Sequence, residues 1–163
     1  VPVPAENPHS RNREKTPIFP LEELMMKEIN AYLIFNGNCR EAMTFYQKCL
    51  GADLHMLPFS ESPGGNVPEE AKDRIMHARL QKGPTVLMAS DNMPGMPFQQ
   101  GSNFFVTLNC ESVPEIEKVF GSLSAKGKVM QALQETFWAA RFAMFTDQFG
   151  VNWMLNLDKP AQK

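Results

Sequence analysis

Two hydrophobic periods alternate along this chain, and the order in which they alternate occurs twice. The stretch MKEINAYLIF, beginning at Met26, has the apolar density of a strand. In NGNCREAMTFYQKCLGA, which follows, Ala42, Phe45, Tyr46 and Cys49 recur at helical spacing. Asn38 followed by Glu41 resembles a capping box, and Gly51 supplies a left-handed stop. Three strands are then predicted, ADLHMLPF, DRIMHARLQ and TVLMAS, with the Pro- and Gly-rich loop SESPGGNVPEEAK between the first two. The order returns with the strand NFFVTLNC and a helix whose Ser112 and Glu115 form a second capping box. Ile116, Val119, Phe120 and Leu123 line one face of that helix, and Gly127 ends it. KVMQALQ, FWAARFAMFTD and VNWMLNL supply the remaining strands.

Such an internal repeat predicts an α+β fold of two βαβββ modules, residues 27–91 and 102–157, within one domain of residues 26–158. A helix across one face of a four-stranded sheet leaves the other face open. Two such sheets side by side make a trough-shaped, eight-stranded mixed sheet, with helices near 39–50 and 113–125 on the outside. Residues 1–25 are rich in proline, follow neither period and read as an extended arm or an added segment; 159–163 form a tail. Phe19, Leu21 and Leu24 are the arm positions that would dock on a neighbouring surface.

Composition changes little in this picture. The 163 residues are 43% hydrophobic with a formal net charge of -2, which excludes a basic footprint for nucleic acid or an anionic membrane. No apolar run approaches the ~20 residues of a membrane span, and no charged-then-apolar leader opens the chain, so a cytoplasmic location is expected. Cys39 and Cys49, on one helix at ~1.5 Å rise per residue, lie roughly 15 Å apart, too far to bridge. With Cys110 alone after a strand and no CxxC or Cys/His cluster, reduced thiols are expected and zinc has no evident home.

The motifs FNGNCREAMTFYQKCLG, RIMHARL, LMASDNMPG and TFWAARFAMFTDQFGVNWMLN, in paired βαβββ modules, resemble the vicinal oxygen chelate superfamily: glyoxalase I, extradiol dioxygenases and bleomycin-resistance proteins. More narrowly they look like its PhnB-like branch, over roughly residues 27–157. Some proteins of that branch carry a demethylubiquinone methyltransferase label, but no glycine-rich turn between the first strand and helix is present to cradle a nucleotide cofactor. The resemblance implies four inward metal ligands, His, Glu or Gln, on the first, fourth, fifth and eighth strands. Alignment puts Ala31, Met88, Asn103 and Met154 there, and this set does not hold a divalent transition metal in the usual way. No metal and no cofactor are expected.

Residues in phase with those positions would share the concave face: Leu33, Val86, Ser90, Phe105, Asn152 and Asn156 beside the four already named. That surface, softened by methionine and oriented by amides, suits a flat or aromatic small molecule. Arg141 is added to the ligand-binding set as an anion-recognition candidate, or else as the structural partner of Glu135, Asp147 or Asp91. His77, in RIMHARL, is the catalytic candidate as general base or donor, or else a half-buried strand histidine. His55 falls on a solvated face. Three functions remain open at this stage: a metal-independent binder of an amphipathic aromatic compound, an enzyme built on His77, and a trough that binds a peptide arm. A homodimer is expected, as antiparallel edges and exposed aromatic strands invite a partner.

Overall fold

The structure is a computed structural model describing residues 28–63 and 66–160. The expected arm, residues 1–25, and the last part of the tail lie outside the described residues. The first module comprises β1 (Ala31–Phe35), α1 (Cys39–Leu50), β2 (Asp53–Pro58), β3 (Ile75–Lys82) and β4 (Thr85–Asp91). The second comprises β5 (Val106–Asn109), α2 (Val113–Ser124), β6 (Lys128–Gln134), β7 (Ala139–Thr146) and β8 (Asn152–Asp158). The repeat predicted from hydrophobic order is thus present, and the fold is α+β with two βαβββ modules.

Each module forms its own four-stranded mixed sheet, in the orders β1-β4-β3-β2 and β5-β8-β7-β6. The first strand of each module pairs in parallel with its last, and the other pairs are antiparallel. The eight strands therefore form two sheets and not one hydrogen-bonded surface. The edges β1 and β5 face a shared cleft lined by residues of both.

Local chemistry explains most of the helix ends. Gly51 closes α1 in the left-handed region at φ 60°, as the spacing predicted. At the start of α2, the Glu115 amide donates to Ser112 Oγ at 3.4 Å, and Glu115 Oε2 accepts from the Glu111 amide at 2.9 Å. Asn38 does not cap α1 with its side chain. Asp91, from the end of β4, takes that role: its Oδ1 accepts from the Gly37 and Cys39 amides, and its Oδ2 from the Ile75 amide. Gly127 follows α2 for a different reason from the one its position suggested. Its backbone is not left-handed, but a Cβ there would collide with the Thr146 carbonyl.

The helix-covered faces of both sheets meet in one core. Leu33, Phe35, Ala78, Leu80, Leu87 and Ala89 contribute from the first sheet, and Ala143, Phe145, Trp153 and Leu155 from the second. Tyr46 of α1 crosses between them: its ring packs edge-on against Trp153 at 5.3 Å, and its hydroxyl donates to Asp147 Oδ2 at 2.6 Å. Asp147 also accepts from Trp153 Nε1 and from the amides of Phe149 and Val151. Among the described residues this buried carboxylate has four donors and no cation partner, so hydrogen bonds hold it. Burial, with the Asp147 charge second, pushes the Tyr46 phenol well above its ordinary range. The three cysteines are free, as expected.

Candidate ligand-binding site

Strand alternation fixes what the uncovered faces carry. In the first sheet Ala78, Leu80, Leu87 and Ala89 turn to the core, so His77, Arg79, Val86, Met88 and Ser90 turn outward. Parallel pairing of β1 with β4 places Leu33 beside Ala89 and Tyr32 beside Met88. A row therefore runs across this face, Tyr32–Met88–Arg79–His55, one residue from each strand. The Tyr32 hydroxyl reaches His77 Nδ1 at 3.1 Å, and the two rings lie 5.8 Å apart at 34°.

The second sheet presents two rows of another character. Thr107, Met154, Met144 and Gln131 form one, and Asn109, Asn156, Phe142 and Gln134 the other. No charged side chain interrupts either row. Asn156 Nδ2 donates to Asp158 Oδ1 at 2.8 Å and to Asn109 Oδ1 at 3.4 Å. Asn152 accepts from Thr146 Oγ1 at 2.8 Å and donates to the Phe104 carbonyl, tying β8 to the segment before β5.

Several expected site residues lie elsewhere. Leu33 is only 4% exposed and belongs to the core, because β1 is one residue out of the expected phase. Tyr32 and Ile34 occupy the open face in its place, at 45% and 49% exposure. Ala31 shares the phase of Leu33 and also leaves the open face. Asn103 is exposed in a bend before β5, not on a strand. Phe105 lies just before β5 and lines the cleft between the sheets. Arg141 pairs with Leu157 in the register of Ala143 and Phe145, on the covered side, where its Nη1 donates to the Ala140 carbonyl at 2.8 Å. Counting by twos already gives Arg141 the phase of Ala143, and pairing with β8 makes that phase the covered one. Met88, Met154 and Asn156 are on the open faces as expected, and so is His77.

The residue that sequence reasoning passed over is Arg79. It stands in the same RIMHARL motif, in phase with His77, and that phase was its signal. Tyr32 had no such signal, since AYLIF is apolar in both phases.

The cleft between β1 and β5 encloses a cavity of about 680 Å³, within the range of small-molecule sites. Ile29, Ala31, Val86, Phe105 and Leu108 give it apolar walls, with Lys82, Glu111 and Glu115 at polar positions. Cys110 lines it too, its thiol pushed up to about 11 by burial, with Glu115 adding and Lys82 opposing. A smaller cavity of about 350 Å³ lies where Tyr32, Phe98, Gln100 and Phe104 approach the turn at Gly150.

Among the described residues, metal donors do not come together. With the β1 phase corrected, the open positions on the four central strands are Tyr32 and Ile34, Met88 and Ser90, Thr107 and Asn109, and Met154 and Asn156; Asn152, expected among them, is buried with its amide bonded to Thr146 and Phe104. These residues do not fit a divalent transition metal in the manner of metal-dependent relatives. No group of three His, Cys, Asp or Glu side chains among the described residues could hold one. The start of α1 is equally unsuited to a phosphate, since Asp91 already occupies the Gly37 and Cys39 amides.

Paired βαβββ modules with facing edge strands, and neutral or thioether side chains at the ligand positions, define a glyoxalase-type protein without the usual metal set. The chain matches the Glyoxalase/Bleomycin resistance protein/Dioxygenase superfamily over residues 28–155, and it belongs to that family. It is 38% identical over 144 residues to protein YjdN of Escherichia coli (strain K12), covering 80% of this chain and 95% of that one. The crystal structure of PA1353 from Pseudomonas aeruginosa is similar at 49% identity and a TM-score of 0.75, over 82% of this chain and 98% of that one. The PhnB protein of Bacillus cereus, described as a candidate 3-demethylubiquinone-9 3-methyltransferase, shares the fold at 24% identity and a TM-score of 0.66, over 80% and 99%. No helix among the described residues is long and apolar enough to cross a membrane.

Proposed function

We propose that this protein binds a small, planar, amphipathic aromatic molecule on the open faces of its sheets, without a metal ion. The observation that carries the proposal is the replacement of the expected ligand set by Tyr32, Met88, Met154 and amides on the central strands. Thioethers adapt to irregular apolar shapes and contact aromatic rings favourably. Asn156 and the Tyr32–His77 pair add oriented polar atoms at the border of that surface. Catalysis by His77 is the weaker proposal, because its side-chain partner is a phenol and not a carboxylate that would orient it as a general base.

Methyl-labelled methionine spectra test the binding directly, with 2-naphthamide as the probe. Saturable shifts of the Met88 and Met154 methyls are expected, unchanged by chelator, while the core methyl of Met43 stays in place. Absence of saturable shifts at both positions, or their loss on chelation, would overturn it.

A further inference from the structure

Resting on the proposed aromatic binding, we propose that Arg79 makes the open face of the first sheet selective for aromatic compounds that carry a carboxylate. Arg79 projects from β3 away from the core residues Ala78 and Leu80. Among the described residues it makes no ion pair, and its one side-chain hydrogen bond runs from Nε to Gln81 Oε1 at 3.2 Å. That bond leaves the outer edge of the guanidinium, with both terminal nitrogens, for an incoming group. A planar fork of this kind matches a carboxylate in two parallel hydrogen bonds.

The neighbours of Arg79 suit the same ligand. His55 stands directly opposite on β2, and His77 lies two residues along the same strand. The acidic residue on this face, Asp53, pairs with Gln81 and not with Arg79. On the other side, Met88 separates Arg79 from Tyr32. At ~4.8 Å between strands, the line from Arg79 across Met88 to Tyr32 is about 10 Å long. A bicyclic aromatic acid spans it: the ring lies on the Met88 thioether against Tyr32, and the carboxylate meets the guanidinium. The tilted Tyr32 and His77 rings, tied by their hydrogen bond, hold the apolar end of the row in one arrangement.

Calorimetric titration with 2-naphthoate and 2-naphthamide, against the full chain and against Arg79→Gln, separates the possibilities. The expected result is naphthoate binding about tenfold tighter than the amide, with the preference lost in Arg79→Gln and the amide's affinity unchanged. Arg79 is outside the core, so the variant folds, and a melting curve checks this. Equal binding of the two compounds by the unaltered protein overturns the carboxylate selectivity and leaves aromatic binding standing. A preference that survives in Arg79→Gln overturns the role of Arg79. Failure of both compounds to bind the unaltered protein overturns the aromatic binding as well.

Discussion

On the covered side, the first sheet offers Leu33, Phe35, Ala78, Leu80, Leu87 and Ala89, and the second offers Ala143, Phe145, Trp153 and Leu155. Alanine is mixed with large apolar residues there in both modules. On the uncovered side the modules part. The first carries an arginine, two histidines and a tyrosine around Met88; the second carries methionines, a phenylalanine and amides. The duplicated architecture constrains the side that must pack, because a core tolerates few volumes and no stray charge. The uncovered side is free of that constraint and can differ between repeats, so specificity resides there.

Adjacent residues of β8 give the strongest test of this contrast. Leu155→Arg should abolish the folded state: an unpaired buried charge costs several kcal/mol, comparable with the whole stability of a domain. Met154→Arg should shift stability by no more than ~1 kcal/mol, since its side chain faces outward and a long cation extends to water. It should nevertheless weaken binding of the aromatic probe to the open face of the second sheet. Leu155 serves better than Trp153 because an arginine at 153 would find the buried Asp147 carboxylate. Circular dichroism melts of the two variants decide the matter, and reversed outcomes would invert the assignment of faces.

The next largest effect is expected at the two buried carboxylates. Asp147→Ala strands four donors, among them the Tyr46 hydroxyl and the Trp153 indole that join the modules, and should cost roughly 3–5 kcal/mol. Asp91→Ala strands three backbone amides within the first module and should cost about 2–4 kcal/mol. Urea titration measures both. A smaller loss at Asp147 than at Asp91 would show that the modules hold together without that hub.

The last effect concerns protons. Burial first and Asp91 second push the Cys39 thiol from its ordinary 9.0 up to about 12. The fold therefore keeps this proton where an unfolded chain would release it. The stabilisation is complete below pH 9.0 and is lost as pH rises toward about 12. Cys110 acts in the same direction over a narrower range, up to about 11. The urea midpoint should fall as pH rises above 9.0, and Cys39→Ala should flatten that fall. An unchanged slope would refute the assignment to Cys39.

Much of this protein follows from local chemistry legible in the chain. Helical spacing and Gly51 delimit α1 as Cys39–Leu50, and Ser112 with Glu115 starts α2 where expected. Alignment with the resembled family's ligand positions placed Met88 and Met154, and strand phase placed His77 opposite Ala78 and Leu80. Tertiary structure alone decided the rest. AYLIF is apolar at every position, so only pairing with β4 could assign Leu33 to the core and Tyr32 to the surface. Asn38 has the chemistry of a cap, but a carboxylate distant in sequence, Asp91, satisfies the helix start. Arg141 shares the phase of Ala143, and only the pairing of β7 with β8 makes that side the covered one, while Asn103 lies in a bend that ends before β5 begins. The physical reason is common to all four. A side chain's period and cap chemistry are set by its neighbours in sequence, whereas strand phase, register and the partner of a buried charge are set by segments that meet only when the chain has folded.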